Sequence, residues 1–189
     1  MYVVEVVRKI CQEHNLNYVV VEAENIANVL ERDDVTSSKA KIVPVNVRAL
    51  TYIYLAHIAM CLGVGKVNKL VRETLSKSER GLFKYYVKVC YERLKEVKYV
   101  DVDKVLTNCT KNVKDFAIKL GLDENNLLNE LKRRIHEKKL DKLISKFPLI
   151  TIGILYNMCI EKGLKTVTVS ELARKFMVDK DTAKEWVKI

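Results

Sequence analysis

The sequence is poor in helix breakers: among 189 residues there are only 6 Gly and 2 Pro. That scarcity excludes collagen-like, linker-like and loop-rich disulfide folds, and a turn-dense β-sandwich or barrel normally needs more Gly, Pro and Asn-Gly turns. The five cysteines, Cys11, Cys61, Cys90, Cys109 and Cys159, form no CxxC pair and no Cys–His cluster at metal spacing, so a zinc ribbon or finger is excluded. Each lies in or beside an apolar stretch; their odd number and wide spacing predict buried, reduced thiols rather than a secreted disulfide framework. No apolar run approaches the roughly 20 residues of a membrane span. The first residues, with Glu5 leading into Arg8-Lys9, do not read as a signal peptide. The expectation is a soluble cytoplasmic, nucleoid-associated protein with no membrane partner.

Enzyme chemistry is equally thin. His14, His57 and His136 are far apart, and none sits in a motif. His57 falls in the most apolar stretch, where a hydrogen-bonded core histidine is expected rather than a base. Gly63-Val64-Gly65-Lys66 lacks the preceding strand and the spacing of a phosphate-binding loop. No carboxylate pair stands out. The expectation is a protein that is not an enzyme, with no cofactor, no metal and no small-molecule substrate.

What is present is apolar and charged: 49% hydrophobic and 31% charged residues, with Lys+Arg 34 against Asp+Glu 24, a net charge of +10. Helical spacing places Val3, Val6, Val7, Ile10 and Cys11 on one face of Tyr2 to His14, and Val20, Ala23, Ile26, Ala27 and Leu30 on one face of Val19 to Arg32. Asp33 to Lys41 reads as a loop. Asn46 is placed to cap a helix over Val47 to Leu62, apolar nearly all round, that Gly63 and Gly65 would stop. Val67, Leu70 and Val71 form a short helical face. The capping box Ser76-Lys77-Ser78-Glu79 opens a helix through Leu82, Tyr85, Tyr86, Val89, Cys90 and Leu94.

The order then recurs. Lys111 to Leu120 reads as a first helix, Asp123 caps Glu124 to Glu137, and Pro148 starts an apolar helix over Leu149 to Lys162. Gly163 ends it, one hundred positions after Gly63, and at that offset Leu55 matches Leu155, Ile58 matches Met158 and Ala59 matches Cys159. Thr168 to Glu171 is a second capping box, and Asp179 caps Lys180 to Ile189. The fold class so predicted is all-α: five helices, then five, with the most apolar third in each set. The joint lies near Val97 to Lys104, which divides the chain into 1–97 and 98–189.

Each repeat ends in a helix-turn-helix pattern. In the second (168–189), Ser170 to Phe176 supports, Met177-Val178-Asp179 turns, and Lys180 to Trp186 opens the recognition helix. Thr182 and Lys184 are the base-edge candidates, while Arg174, Lys175, Lys180 and Lys188 are placed for phosphates. Leu172, Ala173, Val178, Ala183 and Val187 should hold the two helices together. Asp179, Asp181 and Glu185 put negative charge beside that face. Charge elsewhere is uneven: residues 1–65 carry 6 basic and 7 acidic residues, whereas residues 66–95 carry 9 basic and 3 acidic. Lys66, Lys69, Lys77, Arg80 and Lys84 in that stretch are candidates for DNA contact, as are Arg133 and Arg134 in the basic run Lys132 to Lys146.

Two five-helix repeats with a buried third helix and a terminal helix-turn-helix resemble the cyclin fold. Pro148, Ile154-Leu155-Tyr156-Asn157-Met158-Cys159, Gly163, Thr168-Val169-Ser170-Glu171-Leu172-Ala173 and Val178-Asp179-Lys180-Asp181-Thr182-Ala183-Lys184 are similar to the core of archaeal transcription factor B and eukaryotic transcription factor IIB. The resemblance implies two tandem cyclin-like repeats and a DNA-binding initiation factor core or shortened, viral regulator. Its implied partners are double-stranded promoter DNA, TATA-binding protein and RNA polymerase. Thr182 and Lys184 match the family's base-reading Thr and Arg, and Ala183 matches an apolar contact. The family's zinc ribbon and polymerase-reaching segment are not found ahead of the first core helix. The alternative expectation is a cyclin-like protein-interaction module without DNA binding.

Overall fold

The computed structural model describes residues 2–33, 42–164 and 166–188, and these contain eleven α-helices, two short 3-10 turns and no strand. The chain divides into two compact units, one of Met1–Met60 with Lys66–Asp101, the other of Cys61–Gly65 with Val102–Ile189.

The first unit holds α1 (Tyr2–Glu13), α2 (Val20–Glu31), α3 (Val45–Ala59), α4 (Gly65–Thr74) and α5 (Lys77–Glu96). Helix α3 has no polar face, and α1, α2 and α5 enclose it. It begins at Val45, two residues before the expected start at Val47, because the Pro44 carbonyl accepts the first helical bond from Arg48 N–H at 3.0 Å; Asn46 is inside the helix and not its cap. It also ends early, at Ala59, where Cys61 takes a left-handed conformation (φ 53°) and Gly65 instead opens α4. The Ser76 box is complete: Ser76 Oγ accepts from Glu79 N–H at 3.3 Å, and the Glu79 carboxylate accepts from Ser76 N–H at 2.9 Å. Along α5, Phe83, Tyr86, Cys90 and Leu94 are buried, while Tyr85 is 51% exposed.

Two polar arrays cross this core. Arg48 pairs with the Glu31 carboxylate at 2.7 Å, Tyr52 donates to the same carboxylate, and Tyr52 meets Tyr86 hydroxyl to hydroxyl at 3.1 Å, which ties α2, α3 and α5. His57 is fully buried, as expected. Its Nδ1 lies 2.8 Å from the Ile53 carbonyl, which can only accept, so Nδ1 carries the proton and Nε2 accepts from the Tyr18 hydroxyl at 3.3 Å. Burial holds the His57 pKa below its usual value, favouring the neutral ring.

The second unit holds α6 (Val102–Asn112), α7 (Lys114–Lys119), α8 (Glu124–Glu137), α9 (Phe147–Glu161), α10 (Val169–Lys175) and α11 (Lys180–Trp186). The sequence pattern missed α6 and merged its end with α7: Lys111 lies in the last turn of α6, and Val105, Leu106, Cys109 and Thr110 are its buried face. The weak helix formers of Thr107-Asn108-Cys109-Thr110 obscure that face. Asp123 caps α8 and Pro148 lies in the first turn of α9, both as expected. Helix α9 is apolar on all sides and packs against α6, α8, α10 and α11. With the 3-10 turn before it, the segment Ile144–Glu161 is long and apolar enough to cross a membrane, and 67% of it is buried within the unit. Thr168 caps α10 through Glu171 N–H at 3.2 Å, but the Glu171 carboxylate turns to Lys119 at 3.3 Å instead of completing the box.

The cysteines differ from expectation. Cys11, Cys90 and Cys159 are free and buried, but Cys61 and Cys109 form a disulfide, 48 positions apart with Cα atoms 5.2 Å from each other. Linear spacing hides this proximity, which exists only because Cys61–Gly65 folds against α6 and the α10–α11 turn. Asn112 Nδ2 donates to the Cys61 carbonyl at 3.3 Å, and Gly63 N–H donates to the Phe176 carbonyl at 2.7 Å. A side chain at Gly63 would meet the Met177 carbonyl at 2.8 Å, so only glycine fits. Gly153 plays the same part under α11: a Cβ there would lie 2.2 Å from the Trp186 carbonyl.

Two outcomes follow from this packing. Reducing the disulfide, or replacing both cysteines by alanine, removes a constraint on the unfolded chain and should lower the urea-unfolding free energy by about 2–4 kcal/mol. Gly153→Val should cost about 1–3 kcal/mol through overpacking. It should also shift the fluorescence of Trp186, the single tryptophan of the chain, because α11 must move off α9.

Candidate nucleic-acid interface

Charged side chains on these helices fall into three settings. On α8 they neutralise one another. Arg133 pairs with Glu130 at 2.6 Å and also with Glu137, Arg134 pairs with Glu130 and with Glu161 at 2.8 Å, and Lys132 pairs with Asp103 at 2.8 Å. The hydrogen bonds from Arg133 and Arg134 hold the Glu130 carboxyl down at about 2. The arginines expected to meet DNA here are engaged with carboxylates, a consequence of i, i+3 and i, i+4 spacing that a charge tally does not show.

The α10–α11 pair is the second setting. Leu172, Ala173 and Ala183 are buried and hold the pair together, with Val178 and Val187 half-buried. Ala183 is fully buried, which corrects its assignment as a DNA contact. Asp179 Oδ1 accepts from the N–H groups of Asp181 and Thr182, both at 3.0 Å, and from the Thr182 hydroxyl at 3.3 Å. The backbone bond from Thr182 is the largest cause that keeps Asp179 below the usual carboxyl range. Lys184 pairs with Asp181 at 2.8 Å and Lys175 with Asp115 at 2.8 Å. Arg174, Lys180 and Lys188 are exposed, with no carboxylate partner among the described residues.

The third setting is the end of the first unit. Helices α4 and α5 are joined by only Leu75 and Ser76, and with Tyr54 of α3 they border an open groove of about 750 Å³. Arg72, Lys77, Arg80 and Lys84 line it, and none has a carboxylate partner among the described residues. Beside them, Tyr54 and Phe83 pack edge to face at 5.7 Å between ring centres. Gly81 lies in the second turn of α5 with open space where a Cβ would be. Lys77, Gly81, Lys84 and Lys88 share one exposed face at helical spacing, about 16 Å from end to end at 1.5 Å per residue. Glu79 stands two residues after Lys77, one before Arg80 and five before Lys84, none of them a pairing distance on a helix, and its carboxylate faces Ser76, whose hydroxyl bond is the largest cause of its lowered pKa.

Of the other candidates in this stretch, Lys69 pairs with Glu73 at 3.8 Å, and Lys66 stands 5.8 Å from the Tyr18 ring centre. Arg72, Lys88 and Gly81 were not among the sequence-level candidates. The 77–81–84–88 spacing is the signal that could have found the last two, whereas Arg72 joins the groove only because α4 and α5 meet across the short Leu75-Ser76 link. Among the described residues no group of three or more His, Cys, Asp or Glu is placed to hold a metal ion.

The ion pairs of α8 carry a pH signature. Because the folded pKa of Glu130 is depressed, its contribution to stability is fully present above about pH 4.5 and disappears as pH falls toward about 2. The difference in denaturation midpoint between the wild type and Glu130→Gln should be constant near neutrality and vanish over that window. No family model, curated protein or solved structure matches this chain.

Proposed function

We propose that this chain is a DNA-binding protein of the transcription-factor-B kind, built of two cyclin-like repeats, each ending in a helix-turn-helix. It acts at promoter DNA as a factor core or shortened regulator, with TATA-binding protein as its protein partner. The helix order supports the repeat reading: α3 and α9 are each enclosed by the helices around them, and each is followed by a closely joined helix pair. One observation carries DNA binding: four uncompensated cations converge on the α4–α5 groove, while the arginines of α8 are matched by carboxylates. A surface that only needs solubility gains nothing by gathering like charges around a concavity, where they repel; a polyanion offsets that repulsion and releases its counterions.

A second reading, a protein-interaction module, draws on a different feature. Helices α1, α3 and α4 border a groove of about 510 Å³ with Leu50 and Leu70 in its lining and Glu5 and Glu13 beside them. An association that survives nuclease digestion would belong to that reading.

The test is a fluorescence titration of the whole chain on a 30-base-pair duplex at about 50 and about 200 mM salt. Micromolar or tighter binding at low salt, weakened at least tenfold at high salt, is the expected result. Absence of binding at both concentrations, with and without TATA-binding protein, overturns it.

A further inference from the structure

Resting on the DNA reading above, we infer that this chain grips duplex DNA by its phosphate backbone, in the α4–α5 groove, and that α11 reads no bases: the protein is a sequence-independent DNA binder.

The first support is the difference in charge between the two helix pairs. Residues 66–88 carry seven basic residues (Lys66, Lys69, Arg72, Lys77, Arg80, Lys84, Lys88) and two acidic ones, Glu73 and Glu79. Residues 179–188 carry three of each: Lys180, Lys184 and Lys188 against Asp179, Asp181 and Glu185. Backbone affinity scales with the number of phosphates neutralised, so it belongs to the first pair.

Shape is the second. The groove is open, and Gly81 adds no side chain to it, so a strand can approach the α5 backbone between Lys77, Lys84 and Lys88. The roughly 16 Å span of that face matches a length of duplex over which one strand carries about five phosphates. Arg72 and Arg80 line the groove itself, where the strand would lie.

The chemistry of α11 is the third. Base discrimination in the major groove rests chiefly on bidentate Arg, Asn or Gln, with free Lys, Ser or Thr and a carboxylate accepting from cytosine as the other options. Lys180 to Lys188 contains no Arg, Asn or Gln. The side chains at its centre are engaged, Lys184 with Asp181 and Thr182 with Asp179, and Lys180 and Lys188, without carboxylate partners among the described residues, stand at the two ends of the stretch, where they suit phosphates. Asp179 also occupies the N–H groups of Asp181 and Thr182, the donors that a phosphate at the helix start would need. Three carboxylates beside that face repel the backbone that would have to come close for any base to be read.

The experiment compares two 30-base-pair duplexes, one A·T-rich and one G·C-rich, by anisotropy across a salt series. The two affinities should agree within about fivefold. The Arg72→Ala/Lys77→Ala/Arg80→Ala/Lys84→Ala variant should reduce the slope of log K against log salt by about 3–4, at about 0.9 per lost phosphate contact, and weaken binding at low salt more than tenfold. Gly81→Gln separates the site from folding. It improves helix propensity, so its melting temperature should hold or rise, while its uncharged side chain obstructs the groove and weakens binding at least fivefold. For Thr182→Ala/Lys184→Ala, the ratio between the two duplexes should not change. A preference beyond fivefold, a ratio that shifts in the α11 variant, or full affinity in the groove variants overturns the inference and leaves DNA binding standing. Failure of the wild type to bind either duplex overturns both.

Discussion

Two helices without a polar side, α3 and α9, set the requirement that the rest of each unit meets. Burying a Leu, Ile or Phe side chain is worth about 1.5–3 kcal/mol, and both helices carry such residues around their whole circumference. A helix of that kind must be surrounded rather than covered on one face. Each unit meets this with amphipathic helices that turn apolar stripes inward, such as Val3, Val7 and Cys11 of α1 or Leu127, Leu131 and Ile135 of α8. The outward faces are thereby released from packing, and charge collects there.

What happens to that charge differs from helix to helix under one composition. Glu130 stands three and four residues before Arg133 and Arg134, within reach of both, and their pairing leaves α8 largely compensated. On α5 no carboxylate of the same helix stands three or four residues from Lys77, Arg80 or Lys84, and these remain without carboxylate partners among the described residues. The spacing of carboxylates along each helix thus decides the electrostatics of its outward face. In α11 Asp179 draws the Thr182 hydroxyl and two backbone donors to itself, and Asp181 takes Lys184.

The second unit is held by close backbone approaches as well as by side chains. Gly63 and Gly153 leave room for the carbonyls of Met177 and Trp186, and the Cys61–Cys109 disulfide pins the segment that contains Gly63. These contacts set where the α10–α11 turn and α11 lie, yet the residues involved are far apart along the chain. No periodicity analysis could have joined them.

The sequence by itself determined the helical class, both central helices, the caps at Ser76, Asp123, Thr168 and Asp179, and the core role of His57. All rest on spacing of a few residues or on residue type, and local backbone hydrogen bonding enforces them. Tertiary structure decided what depends on approach across long separations. It broke the stretch after Val102 into α6 and α7, joined Cys61 to Cys109, and brought Arg72 across from α4 to Lys77, Arg80 and Lys84 of α5. Charge is read from sequence as a sum, but its effect depends on which opposite charge lies within about 4 Å, and only the packed helices fix those distances.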